Sequence, residues 1–246
     1  LIRQAGGDDL ARLKPDSEAA VRICGLVSSY GTDRPFIRFW CDQGHKSFIS
    51  LIDDNANLAA ENDADFEEIA VFFAMHPEIV NVRTSRIAAG EIAKSGVWQA
   101  EYGSVMTTGA NTEQPTKKPE PLFPREVYPV LKACFEDMPE FEAWYADVSH
   151  RIRHGFCRIV GFRHEGVPVS CAMTTSECKE AAVIGGVATL EGARGRGYAS
   201  SNVLTLADML LSEGKRVFLS PKNESARALY SQIGFRECSG WGNLKK

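Results

Sequence analysis

Two periods of apolar residues alternate along this chain. Residues 65–75 carry Phe66, Ile69, Ala70 and Phe73 at helical spacing, the mark of an amphipathic helix. Asp63 or Asp65 can cap that helix, and Pro77 ends it. Residues 18–28 predict an earlier helix, and 36–41 an apolar and aromatic strand. Asp42-Gln43-Gly44-His45 reads as a turn, followed by strands over 47–52, 57–60 and 97–106. Beyond residue 124 the pattern predicts helices over 126–136 and 139–153. Strands follow over 156–162, 167–174 and 181–189, with a turn at His164-Glu165-Gly166. A long helix over 197–213 places Val203, Leu204, Ala207, Leu210 and Leu211 at core spacing and stops at Gly214. A short strand at 217–219, a helix over 225–233 ended by Gly234, and a strand over 235–241 complete the order ααβββαβαβ.

Residues 107–124, TTGANTEQPTKKPEPLFP, have no period and are rich in Thr, Pro and Gly. They read as a linker or long surface loop. The expected division is an N-terminal α+β domain at 1–107, a linker at 108–124 and a second domain at 125–246. The charge differs across it. Residues 1–124 hold 12 Lys and Arg against 18 Asp and Glu, a net of −6, whereas the remainder holds 16 against 14, a net of +2. Neither half is basic enough to suggest a nucleic-acid partner. An acidic half beside a mildly basic one suggests two kinds of ligand, with 1–124 contributing to a pocket for a cationic acceptor.

At 246 residues, 44% hydrophobic and 24% charged, the composition excludes a disordered or fibrous chain. No apolar run reaches the roughly 18 residues of a membrane helix, so no membrane partner is expected. The chain opens on Leu1 rather than Met, consistent with a trimmed start, and its first ten residues carry no signal core. The seven cysteines include no C-x-x-C pair and several lie in apolar runs. They read as buried free thiols of a reducing, cytoplasmic setting. The five histidines show no ligand spacing against the cysteines. His150 and His154 share a predicted helix face without a third ligand, so no metal is expected.

The chemistry-bearing segment is 185–200, GGVATLEGARGRGYAS. An apolar strand leads into Arg194-Gly195-Arg196-Gly197, and a helix begins at once. The first amides of a helix lack internal partners and carry partial positive charge. Glycines admit close approach of a pyrophosphate, and the two arginines add charge, so the junction reads as an anion cradle. It is neither a G-x-x-x-x-G-K-[ST] loop nor a G-x-G-x-x-G loop, since Ser200 follows Gly195 and Gly197. Three strands without intervening helices precede it, which argues against a dinucleotide fold and a generic nucleotide site.

Here the chain resembles the GNAT superfamily of N-acetyltransferases. Arg194-Gly195-Arg196-Gly197-Tyr198-Ala199 matches the R/Q-x-x-G-x-G/A acetyl-CoA loop, with Ser200 next. Val187-Ala188-Thr189 matches the strand end that holds the pantetheine arm. Asn223 to Tyr230, followed by Ile233-Gly234-Phe235, matches N-x-x-A-x-x-L-Y-x-x-x-G-F. The resemblance covers about residues 125–246 and includes the element order. It implies an α+β fold with a mixed, mostly antiparallel sheet flanked by helices, beside a second, smaller α/β unit at the N-terminus. The first half, without the Arg/Gly loop, is either a degenerate copy of that fold or an unrelated α+β cap.

The resemblance further implies an acetyltransferase that uses acetyl-CoA as co-substrate and a small-molecule or peptide amine as acceptor, by direct attack in a ternary complex. Backbone beyond Val187 would hold the pantetheine and polarise the carbonyl. Asn223 sits where its amide caps a helix or binds a polar arm. Tyr230 would protonate the departing thiolate; taken alone, it reads equally as a core aromatic. A phenol suits that role, being neutral near pH 7. Many members carry a carboxylate on the strand before the loop, but 181–189 is AAVIGGVAT. Glu180 and Glu191 flank it and read as solvated, so no base is assigned. Cys238 offers an acyl-cysteine route that the family does not require. The missing carboxylate keeps open a CoA-binding sensor or scaffold without turnover.

Overall fold

The computed structural model describes residues 1–109 and 115–246. The part of the expected linker at 110–114 lies outside the described residues. The chain forms two compact units, one of Leu1–Val105 with Glu237–Lys246, the other of Met106–Arg236.

The first unit runs β1 (Ile2–Gln4), α1 (Gly7–Leu10), α2 (Glu18–Tyr30), β2 (Ile37–Asp42), β3 (Ser47–Ile52), β4 (Asn55–Ala60), α3 (Phe66–Met75), β5 (Asn81–Ser85), α4 (Arg86–Ala93) and the start of β6 (Gln99–Thr108). The second runs β7 (Glu120–Pro121), α5 (Pro124–Cys134), α6 (Phe141–Arg153), β8 (Ile159–His164), β9 (Val167–Glu177), β10 (Ala181–Thr189), α7 (Tyr198–Ser212), β11 (Arg216–Leu219) and α8 (Glu224–Gln232), ahead of β12 (Arg236–Lys245). Each half repeats the order β-α-α-β-β-β-α-β-α-β. The pairing repeats too. β1 to β4 are successively antiparallel and β4 joins β5 in parallel. Likewise β7 to β10 are antiparallel and β10 joins β11 in parallel. The first half is a copy of the second fold rather than an unrelated cap.

Side-chain alternation builds the same layers in both units. In β2, Ile37, Phe39 and Cys41 pack with α1 and α2, while Trp40 faces the core of α3 and α4. In the second unit Ile159, Cys171 and Met173 pack against α5 and α6. Val160, Ala172 and Ile184 pack against α7 and α8.

The last strands are exchanged between the halves. β12 pairs antiparallel with β5 in the first unit, in register from Trp241↔Ser85 to Lys245↔Asn81. Met106–Thr108 of β6 pairs with Val217–Leu219 of β11 in the second. The expected boundary assigned all of 125–246 to one domain, whereas the compact second unit takes in Met106 and releases the chain's last ten residues. Sequence spacing cannot see this, because both strands look alike locally and only their partners differ.

Four elements went unseen in the sequence of the first half: β1, α1, β5 and α4. β5 buries Thr84, whose hydroxyl donates to the Leu58 carbonyl at 2.8 Å, so its inward face does not read as apolar. α4 is short, carries Gly90, and is started by Ser85, whose side chain accepts from the Ala88 amide.

Residues 125–246 expressed alone would lack Met106, a buried member of the second core, leave the β11 edge bare and carry an unpaired β12. A fragment of residues 106–236 retains both strands of that pairing. The expected outcome is a cooperative thermal transition by circular dichroism for 106–236 and aggregation or a broad transition for 125–246. Equal cooperativity would contradict the strand assignment.

Candidate functional site

β10 outruns its neighbour. Its parallel pairing with β11 covers only Ala181–Ile184 against Arg216–Leu219. Its pairing with β9 is interrupted between Gly185 and Ala188, where Gly186 adopts φ 56°. The five residues from Gly185 to Thr189 therefore present backbone toward a gap rather than toward β11. An extended ligand with amides can add to such an edge as a further strand. A side chain at Gly186 would meet Met173 Cγ at 2.8 Å, so the bulge is both conformationally and sterically a glycine position.

This gap is one wall of a cavity of about 610 Å³, a volume usual for small-molecule sites. Val187, Ala188, Thr189, Arg194, Gly195, Gly197, Tyr198, Ala199, Ser200, Asn223 and Tyr230 all line it. Of the residues singled out from sequence, only Arg196 does not. Its guanidinium donates to the Gly192 carbonyl at 3.3 Å.

One end of the cavity is the start of α7. Gly197 occupies the cap position at φ 75°, and no side chain caps the helix. The amides of Tyr198, Ala199 and Ser200 follow, with no acid in the first turn. Arg194 Nε donates to the Thr189 carbonyl at 3.1 Å, so its charge meets a dipole and not a carboxylate. The equivalent helix of the first unit is built oppositely. Asp65 caps α3 by accepting from the Glu68 amide at 2.9 Å, and Glu67 and Glu68 occupy the first turn. There the chain supplies its own anion; at α7 it leaves the place open.

The other end is α8. Asn223 caps it, its side-chain oxygen accepting from the Ala226 amide at 2.9 Å. Of the two roles open to Asn223, capping takes the oxygen and leaves the amide nitrogen for a ligand. Tyr230 is only 7% exposed. Its hydroxyl has no protein hydrogen-bond partner among the described residues, and burial pushes its pKa up to about 12. A buried phenol normally finds a partner, so this one is poised for a ligand atom.

The structure adds lining residues that the sequence reading passed over. Lys222 lies just before α8, its ammonium 5.6 Å from the Phe135 ring centroid. Cys134 ends α5 with Sγ 3.7 Å from the Thr189 carbonyl. A lysine before a capping Asn, and a cysteine at a helix end, carry no signal until the fold brings them to one cavity. Among the described residues no carboxylate lines it, so they add no base to the set expected from sequence.

Two other clusters were tested as ligand sites. His150 and His154 do lie together, with ring centroids 4.1 Å apart and planes tilted by 31°, but no third ligand joins them among the described residues. Asp9, Cys41 and His45 of the first unit converge within 4.8 Å, a grouping that sequence spacing did not suggest. The Asp9 carboxylate is already engaged by Arg3 at 2.7 and 2.8 Å, by His45 at 2.8 Å and by the Gly6 amide at 3.0 Å. The Arg3 hydrogen bonds, then that of His45, hold its pKa far below the usual carboxylate range. This cluster is a closed hydrogen-bonded group that ties β1 and α1 to the turn between β2 and β3. The seven cysteines are free; Cys41, Cys157, Cys171 and Cys178 are buried and Cys238 is exposed.

Residues 159–242 match the family model described as FR47-like protein, which is GNAT-related. Among solved structures, the GCN5-related N-acetyltransferase from Sphaerobacter thermophilus is 15% identical at a TM-score of 0.67, covering 100% of this chain and 95% of that one. That from Kribbella flavida is 14% identical at 0.65, covering 93% and 95%. A tandem GNAT protein from the clavulanic acid biosynthesis pathway is 14% identical at 0.61, covering 100% and 98%. At these identities the likeness is one of fold, and it includes the tandem arrangement. No curated protein matches the sequence. Among the described residues no helix is long and apolar enough to cross a membrane.

Gly197→Val forces a β-branched residue into the left-handed region, at a cost of about 1–2 kcal/mol. The nearest atom, Thr116 Oγ1, would lie 3.8 Å from the new Cβ, so the damage is to the helix start and not to packing. The expected result is at least a tenfold loss of CoA affinity by calorimetry with the fold retained. Unchanged affinity in folded protein would remove the cradle from the site.

Proposed function

We propose that this chain, whose second unit has the GNAT fold, is an N-acetyltransferase that moves an acetyl group from acetyl-CoA to a small-molecule or peptide amine. One observation carries the reading. A single cavity joins an uncapped, cation-flanked helix start to a buried phenol without a partner, along an open strand edge. Phosphates, pantetheine amides and a departing thiolate are the groups that these three features suit.

The roles follow from the chemistry of each feature. The amides of Tyr198, Ala199 and Ser200, with Arg194, would hold the diphosphate. The Gly185–Thr189 backbone would pair with the pantetheine and offer N–H donors to the thioester carbonyl. Asn223, its oxygen fixed at the helix cap, would donate from its nitrogen. Acetyl-CoA itself supplies the activated thioester. Tyr230 would give its proton to the departing sulfur. A phenol pushed up to about 12 is a weak acid in water, but the burial that raises it also disfavours a free thiolate beside it. Because no carboxylate among the described residues lines the cavity, the amine would arrive neutral or lose its proton to water.

That same lack of a carboxylate is the one observation favouring a binding module without turnover. The two readings separate in a thiol-release assay over polyamines, amino acids, aminoglycosides and peptides. Release with any amine supports the enzyme; CoA binding without release from any supports the module.

For the enzyme, Tyr230→Phe should lower kcat by about 10²-fold, the usual scale of a general acid, with KM for acetyl-CoA nearly unchanged. Since burial holds Tyr230 protonated, kcat of the native protein should show no fall from its ionisation below about pH 10. An unaltered kcat in Tyr230→Phe would return this residue to a packing role.

A further inference from the structure

The segment between the halves reaches the cofactor cradle. Thr116 Oγ1 lies 3.4 Å from Ser201 Oγ, on the first turn of α7. The Lys117 ammonium stands 4.8 Å from the centroid of the Tyr198 ring, which also stacks on Phe162 at 4.6 Å. Tyr198 lines the cavity and is the first residue of α7. A cation is thus laid beside the positive end of a helix dipole, on the side that already carries Arg194 and Arg196. Uncompensated, that placement is unfavourable.

Several cations elsewhere in this unit are paired with carboxylates. Arg158 pairs with Glu177 and Glu213, Arg163 with Glu120 and Glu126, and Lys215 with Glu177. Among the described residues Lys117 meets no carboxylate; its one contact is the Tyr198 ring. Arg194 and Arg196 meet only carbonyls. Three cations from two separate stretches of chain therefore gather, without acids, at an uncapped helix start. The missing partner is an anion of more than one charge.

We propose that Lys117 is a phosphate ligand of the CoA site, carried to the start of α7 by the connecting segment, so that binding the cofactor also pins residues 116–117 in place. The assignment rests on the reading that the cavity binds CoA. Recognition is by charge and reach: the ammonium pairs with a phosphate of the diphosphate or with the 3′-phosphate, while Tyr198 holds its position.

The experiment uses the full chain. Calorimetry compares CoA with 3′-dephospho-CoA for the native protein, Lys117→Gln, Lys117→Arg and Lys118→Gln. Lys118 is exposed and next in sequence, and among the described residues it does not share the Lys117 contact with the Tyr198 ring, so Lys118→Gln controls for charge alone. Lys117→Gln should weaken CoA binding about 5- to 10-fold, Lys117→Arg should recover most of it, and Lys118→Gln should change it less than twofold. Loss toward CoA alone assigns the 3′-phosphate; equal loss toward both ligands assigns the diphosphate.

Trypsin gives a second readout. It can cut after Lys117 but not after Lys118, which precedes Pro119. Saturating CoA should slow that cut at least tenfold. The assignment is overturned if Lys117→Gln binds CoA like the native protein, if Lys118→Gln loses as much as Lys117→Gln, or if CoA leaves the cut unprotected. Failure of the native protein to bind CoA at all would instead remove the proposed function, and this assignment with it.

Discussion

The site depends on one constraint: among the described residues no side chain caps the first amides of α7. Gly197 in the left-handed conformation contributes no side chain, and the first turn holds no acid. A helix start left this way in a cavity is an incomplete structure, and an external anion completes it. The repeated fold provides an internal control. The corresponding helix α3 begins at Asp65, with Glu67 and Glu68 in its first turn. Glu68 also accepts from the Ile2 amide at 2.7 Å. The same helix in the same topology is complete in one half and open in the other.

The remaining features of the cavity follow from how β10 is paired. A strand that kept its partners along its full length would present no free backbone. Pairing with β11 ends at Ile184, and the bulge at Gly186 turns the strand just beyond. The parting strands make room between β10 and α8, and that room reaches Tyr230. The phenol is buried but unpartnered because the cavity, and not the core, lies against its hydroxyl. The open strand edge and the exposure of Tyr230 to the cavity are therefore consequences of one parting of strands, next to one helix start without a side-chain cap.

Most of this was legible from sequence in the second half and much less in the first. The strand at 181–189 and the helix that follows are long, strongly periodic and bounded by glycines, so local pattern was enough. The loop Arg194–Gly197 combines residue types whose physics points to phosphate without any fold. Cys134 and Lys222 carried no such signal, since each reaches the cavity only through tertiary structure, as Lys117 reaches the Tyr198 ring. In the first half, β5 hides a buried Thr84 in a polar string, and α4 is short with a central glycine. The strand exchange was out of reach for a different reason: β6 and β12 both read as strands, and pairing is not a local property. The division at 107–124 found the break in pattern but not the trade of strands across it.

The electrostatics of the two halves admit a more local account than their net charges. The −6 of residues 1–124 suggested an acidic wall for a cationic acceptor, but a sum says nothing about where charge acts. Asp9 is closed by Arg3 and His45. Glu18 is buried against Arg22 and Arg83; burial pushes its pKa upward, yet the two guanidinium groups outweigh that and hold it below its ordinary value. Asp65 is a helix cap. Much of the acidity is thereby consumed in building the unit. In the second compact unit, Met106–Arg236, the reverse holds for a few residues. Glu177 is fully buried among Arg158 and Lys215, which accounts for two cations structurally, while Arg194, Arg196 and Lys117 are left without acids. Net charge therefore does not locate a site; near the start of α7, among the described residues, Arg194, Arg196 and Lys117 stand without a carboxylate partner.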